Sequence, residues 1–145
     1  MRFMLLLKGD PVGELPSSEL IGAMISFQEE LTKAGVLLAA EGLYDSSFGA
    51  RVIYDSSTRR KTVVDGPFTE AKELVAGFLL IQVGSREEAI EWAKRCPVEK
   101  AVEGRPDHVE AVVEVRQVGD IDDLPDATDD QRAAERQQRA DRGRR

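Results

Sequence analysis

The first apolar run covers residues 2–8, Arg-Phe-Met-Leu-Leu-Leu-Lys, and Gly9-Asp10-Pro11 breaks it. A run this short and nearly continuous predicts a strand with apolar side chains on both faces. Pro16-Ser17-Ser18-Glu19 then opens a helix. A serine there caps free backbone N–H groups, and Glu19 suits the positive end of the dipole. Leu20, Met24, Phe27 and Leu31 recur at helical spacing and form one apolar stripe. Gly35 ends that helix, since glycine accepts the left-handed conformation that follows a last turn. Residues 36–43 read as a second strand. Residues 51–55 and 61–65 flank the polar turn Ser56-Ser57-Thr58-Arg59-Arg60 and predict a hairpin. Residues 77–83 are an apolar strand. Ser85-Arg86-Glu87-Glu88 is a capping box, and the helix it opens runs to about Cys96, where Pro97 stops it. From His108 to Val118 the pattern alternates: Val109, Ala111, Val113 and Val115 face one way, and His108, Glu110, Glu114 and Arg116 the other.

The order is therefore β-α-β, a hairpin, then β-α-β. With the hairpin set aside this is the split βαβ, or ferredoxin-like, arrangement: an α+β fold with an antiparallel sheet and two helices on one face. Nothing in the chain covers the second face, although strands 2–8 and 77–83 carry apolar residues on both sides. The simplest cover is a second copy related by two-fold symmetry, so a homodimer packed through the open sheet faces is expected. The domain is read as residues 1–118. From Gly119 to Arg145 the strongly apolar residues are Ile121 and Leu124 alone. That segment, 119–145, is expected to be a charged, disordered tail, with a frayed helix over 128–142.

Hydrophobic residues make up 41% of the 145, enough for one modest core. No run approaches the roughly 20 apolar residues of a membrane span, and the apolar start has no cleavage site of the kind a signal peptide carries. A net charge of −7 repels phosphate backbones, which argues against direct nucleic-acid or anionic-membrane binding. The single cysteine, Cys96, has no internal partner for a disulfide, and a reducing cytoplasm is the expected setting. No Cys/His cluster has metal-ligand spacing, and phosphate-loop and dinucleotide glycine patterns are missing, so no metal or cofactor is expected.

The densest chemistry lies in Asp65-Gly66-Pro67-Phe68-Thr69-Glu70-Ala71-Lys72-Glu73. Asp65 can accept from N–H groups ahead of it, Gly66 permits unusual angles, and Pro67 fixes its own. Phe68 is then turned back toward the core or a cleft. Glu70, Lys72 and Glu73 follow within one turn. These charges either line a pocket or are solvated at the hairpin's exit, and spacing alone leaves both readings open. Glu41 follows the apolar run 36–40 and is expected to be partly buried, a condition that raises a carboxylate pKa toward the range of a general acid or base. Its alternative role is an ion pair with Lys72 or an arginine. Tyr44 and Tyr54 are further hydroxyl candidates for the same cleft. Cys96 reads as a structural thiol, and Trp92 as core.

The string DGPFTEAKE resembles the hallmark of the YCII-related (DGPF-domain) family. The opening MRFMLLLKGD, Ala34-Gly35-Val36, Ala40-Glu41-Gly42-Leu43, Gly77-Phe78-Leu79-Leu80, Glu88 to Ala93 and Val113-Glu114-Val115-Arg116 are similar to its other segments, in order. The resemblance implies a ferredoxin-like fold of the dimeric α/β-barrel type. It also implies, for some relatives, a His–Asp pair that works on ring compounds. The only histidine here, His108, lies at the last strand, so that pair is missing at its usual place. Acid–base chemistry, lyase- or isomerase-like, then falls to Asp65 and Glu41. Glu41, Asp65, Gly66, Pro67, Phe68, Glu70 and Lys72 are the ligand-binding candidates for a small molecule. The competing reading is a non-catalytic dimeric accessory protein, for example one associated with an extracytoplasmic-function sigma factor.

Overall fold

A computed structural model describes residues 1–144; Arg145, the last residue of the expected tail, lies outside the described residues. Six strands and three helices follow one another as β1 (Arg2–Lys8), α1 (Ser18–Lys33), β2 (Leu37–Gly42), β3 (Ala50–Asp55), β4 (Arg60–Asp65), β5 (Val75–Gln82), α2 (Arg86–Arg95), β6 (Val113–Gln117) and α3 (Asp129–Arg142). β2, β5, β1 and β6 lie side by side in that order, every neighbouring pair antiparallel. β3 and β4 pair only with each other. The result is the ferredoxin-like α+β arrangement with a hairpin inserted between β2 and β5.

The helices form where local chemistry starts and stops them. Ser17 caps α1 by accepting from the Leu20 N–H at 3.1 Å. Gly35, at φ +73°, takes the left-handed position just past the last turn. Ser85 caps α2 by accepting from the Glu88 N–H, but the Glu88 carboxylate reaches back to the Gly84 N–H at 2.8 Å rather than to Ser85. Only half of the reciprocal box expected there is formed.

Strand alternation divides the sheet's residues between two environments. Phe3, Leu5, Leu79 and Ile81 point to the helix side, where they are buried against Phe27 and Leu31 of α1 and Ala89 of α2. Leu20 and Met24, the outer members of the α1 stripe, are half-buried. Cys96 closes the core behind α2, 1% exposed. Residues between these point to the opposite face. Register sets Glu41, Phe78, Leu6 and Glu114 in one row across the four strands, and Ala39, Leu80, Met4 and Arg116 in the next. Among the described residues, α1 and α2 are the helices that pack on the sheet, and both lie on its other side.

One expected element, the last strand, differs. The last strand begins at Val113 rather than near His108, because β6 has β1 as its sole partner and that ladder ends at the Leu7–Val113 pair. Beyond it β1 turns away through Gly9, leaving residues 108–112 nothing to pair with apart from one Lys8-to-Val112 backbone bond. Residues 129–142 form a capped helix: Thr128 and Gln131 make a complete capping box. Arg136 and Arg132 tie α3 back to Asp122, at 2.7 and 3.8 Å. None of its residues is buried, so local caps and surface ion pairs hold it.

Burial gives Cys96 a definite chemistry. Desolvation, with the Glu99 carboxylate adding to it, pushes its thiol from 9.0 up to about 12. The folded state keeps a proton that the unfolded state releases above about pH 9. That contribution to stability is complete below pH 9 and is lost as pH climbs toward 12. At pH 8 a disulfide reagent such as DTNB should leave the native thiol unmodified for hours and label it within minutes in denaturant. Rapid labelling of the native chain would contradict the burial.

Candidate functional site

The hairpin leaves the sheet after β2, and its base is fastened by three separated stretches of chain. Asp10, two residues past β1, accepts from the Ser46 N–H through Oδ1 at 2.6 Å and from the Ser46 hydroxyl through Oδ2. Ser46 Oγ in turn accepts from the Phe68 N–H at 2.9 Å. The Gly66 N–H donates to the Gly49 carbonyl at 2.9 Å, which extends the hairpin ladder by one bond. Ser46 is presented by a short 3-10 turn, Ser46–Phe48, capped by Asp45. The Ser47 hydroxyl and then its N–H hold the Asp45 carboxyl below its usual range, so this cap is charged at neutral pH.

Gly66 is required here for a reason different from the one its sequence implies. Its φ is not in the positive region, and its bond to Pro67 is cis. What excludes other residues is space: a Cβ at Gly66 would overlap the Ser46 carbonyl oxygen and carbon. Asp65-Gly66-Pro67-Phe68 is thus a close backbone-to-backbone crossing locked by Asp10 and Ser46.

Phe68 is half-buried, and instead of entering the core it lies beneath Arg51. The guanidinium carbon is 3.8 Å from the ring centroid, within cation–π range. Arg51 Nη1 also stands 3.6 Å from Glu70 Oε2. The backbone N–H of Glu70 and the Thr69 hydroxyl, with Arg51 contributing less, hold the Glu70 carboxyl below its usual range. Glu70 is therefore a fixed anion, suited to pairing with a cation and poorly suited to donating a proton.

The remaining candidates are more dispersed. Asp65 is exposed at the end of β4, opposite Ala50. Lys72 is exposed in the turn that leads to β5. Glu41 is exposed rather than partly buried, because β2 is an edge strand and the residue projects onto the open face beside Phe78. Among the described residues, no side-chain hydrogen bond or ion pair joins Glu41, Asp65 or Lys72 to another group, so the expected pairing of Glu41 with Lys72 or an arginine is not formed. Tyr44 stacks on Phe48 with centroids 4.9 Å apart, and both rings are largely exposed. The His108 side chain is 90% exposed, and its nearest carboxylate is Glu110 at 3.9 Å. Two shallow, open grooves, of about 330 and 470 Å³, lie against α1 and beside α3, away from these residues.

Sequence reasoning missed Asp10, Ser46 and Arg51. Asp10 in Gly-Asp-Pro reads only as a strand breaker. Asp45-Ser46-Ser47 does carry a signal, since an Asp before serines marks a local cap, but it does not say what the second serine holds. The Asp10–Ser46 pair lacks the imidazole of a nucleophilic site. The Ser46 proton is given to Asp10 and its lone pair is engaged by the Phe68 N–H, which makes the hydroxyl a joint. Among the described residues, no group of three or more His, Cys, Asp or Glu is placed to hold a metal ion. No helix among the described residues is long and apolar enough to cross a membrane.

A family model described as the YCII-related domain matches residues 1–120, and the chain belongs to that family. No curated protein matches it.

The joint makes two predictions for denaturant unfolding. Gly66→Ala should cost about 1–3 kcal/mol, the usual range for overpacking, because backbone must move on both sides of the crossing. Ser46→Ala should cost about 1–2 kcal/mol, since Asp10 and the Phe68 N–H both lose their partner. Wild-type unfolding midpoints for both variants would show that the crossing is not the anchor of the hairpin.

Proposed function

We propose that this YCII-related chain binds a small organic molecule on the open face of its sheet, beside the Asp65–Phe68 turn, in a cleft that becomes enclosed when two copies pack sheet against sheet. The observation that carries this reading is the row Glu41, Phe78, Leu6, Glu114. Two carboxylates, of which Glu114 is paired with Arg116 at 3.4 Å, flank two apolar side chains on the sheet face that points away from the core of α1 and α2. Ligand sites have this composition, mostly apolar with a few polar groups that fix orientation. A ligand with an apolar ring or chain and a hydrogen-bond donor, or a positive charge, fits it. Asp65, Glu70 and Lys72 supply further polar contacts near the turn, with Gly66, Pro67 and Phe68 as its frame.

Any reaction on such a ligand would be a proton transfer. Glu41 is the group best placed for it, because its carboxylate is unpaired and faces the apolar row, and Asp65 is the second candidate. This is lyase- or isomerase-like chemistry without a histidine.

A second reading is favoured by one feature. The hairpin is exposed along its whole length and bears apolar residues, as an accessory protein that acts through its surface would.

The two readings separate in one experiment. Thermal shift against a panel of small aromatic and aliphatic amines should find compounds that raise the melting temperature of the wild type. Glu41→Gln and Asp65→Asn should abolish or weaken that rise roughly tenfold in ligand concentration, while their own melting temperatures stay within the small range expected of surface changes. If both variants unfold, the residues are structural and the site is wrong. If no small molecule shifts the wild type, the accessory reading gains.

A further inference from the structure

Strand alternation puts Arg2, Met4 and Leu6 of β1 on the open face of the sheet, opposite the core residues Phe3 and Leu5, with Lys8 at the strand's end. Register sets Gln82 beside Arg2, Leu80 beside Met4 and Phe78 beside Leu6. Glu41 on β2, and Glu114 and Arg116 on β6, are the other charged residues that the four strands bring to this face.

Three of these charges are already engaged. Lys8 Nζ donates to the Glu73 carbonyl at 3.0 Å, and Arg116 Nη1 stands 3.4 Å from Glu114 Oε2. Among the described residues, that leaves the Arg2 guanidinium and the Glu41 carboxylate with neither an ion pair nor a side-chain hydrogen bond. Arg2 lies on a central strand and is half-buried, whereas Glu41 is exposed on the edge. A cation partly withdrawn from water attracts an oxyanion more strongly than a fully solvated one, because the pair is less screened.

The two unspent charges have opposite signs and lie at opposite ends of an apolar strip. Arg2 and Gln82 form one end, and Met4, Leu80, Leu6 and Phe78 form the middle. Glu41 stands at the other end, next to Phe78. Four residues of strand, about 13 Å, separate the Arg2 row from the Leu6 row.

We propose that Arg2, with Gln82 beside it, is a carboxylate-binding subsite, and that the ligand is an elongated amino acid. Its carboxylate meets Arg2, its apolar chain or ring lies along Met4, Leu80, Leu6 and Phe78, and its ammonium group meets Glu41. Guanidinium and carboxylate match as planar forks, two N–H groups to two oxygens. This inference rests on the open-face site of the proposed function and adds the group at the far end of the ligand.

The test uses the full chain and calorimetric titration with three matched series: ω-amino carboxylic acids of increasing chain length, the alkylamines and the alkanoates. At the best length the amino acid should bind at least about tenfold more tightly than the amine, as a charge-assisted contact gives. Arg2→Gln should remove that advantage and leave the Kd of the amine unchanged, while Arg2→Lys, which keeps the charge, should keep part of it. Both variants should melt like the wild type, since the Arg2 side chain bonds to nothing within the chain. An amino acid that binds no better than its amine, or an Arg2→Gln variant that weakens both equally, overturns the subsite and leaves the open-face site standing. An alkanoate that binds as tightly as the amino acid overturns the pairing of ammonium with Glu41. If no member of any series binds, the inference and the open-face site fall together.

Discussion

A four-stranded sheet has two faces, and among the described residues α1 and α2 cover only one of them. α1 and α2 both pack on the side where Phe3, Leu5, Leu79 and Ile81 point, and one cluster of nine buried residues forms there. Everything else follows from that one-sidedness. The alternate residues of the same strands, Met4, Leu6, Phe78 and Leu80, cannot be made polar without cost if a partner or ligand is to cover them, and they are not polar. Buried apolar area is worth about 25 cal/mol per Å². Met4, Leu6, Phe78 and Leu80 are only half-buried in one copy, so covering them would add to the stability of a domain this small.

The hairpin and its joint belong to the same logic. β2 and β5 are neighbours in the sheet and could be linked by a short loop. The chain instead spends residues 43–74 on an excursion. It fastens the base of that excursion with Asp10, Ser46 and Phe68 from three stretches of sequence. Gly66 lets two backbone segments cross at a distance no side chain would allow. Such anchoring fixes the direction in which the ribbon leaves the sheet. The ribbon carries exposed valines and a net positive charge on an otherwise acidic molecule.

Much of the fold was legible because its signals are local. Ser17, Gly35, Ser85 and Pro97 mark helix ends by backbone chemistry that acts within a few residues. The stripe Leu20, Met24, Phe27, Leu31 fixes the buried face of α1 by periodicity alone. The start of β6 was not legible in the same way. Alternation from Val109 onward reads as strand, yet a strand needs a partner, and β1 ends first. The site was harder still. Asp65-Gly66-Pro67-Phe68 stands out in the sequence, but the residues that lock it are 56 and 20 positions away, at Asp10 and Ser46, and their pairing is a property of the tertiary structure. The sequence puts Glu41 in the right strand but not at its true exposure, because an apolar run says nothing about whether its strand is central or at an edge.

The central question is whether a second copy covers the open sheet face. Light scattering on the full chain at micromolar concentration measures this directly. A mass near twice the 16.0 kDa of one chain is the predicted result. A mass of one chain that persists as concentration is raised would contradict it.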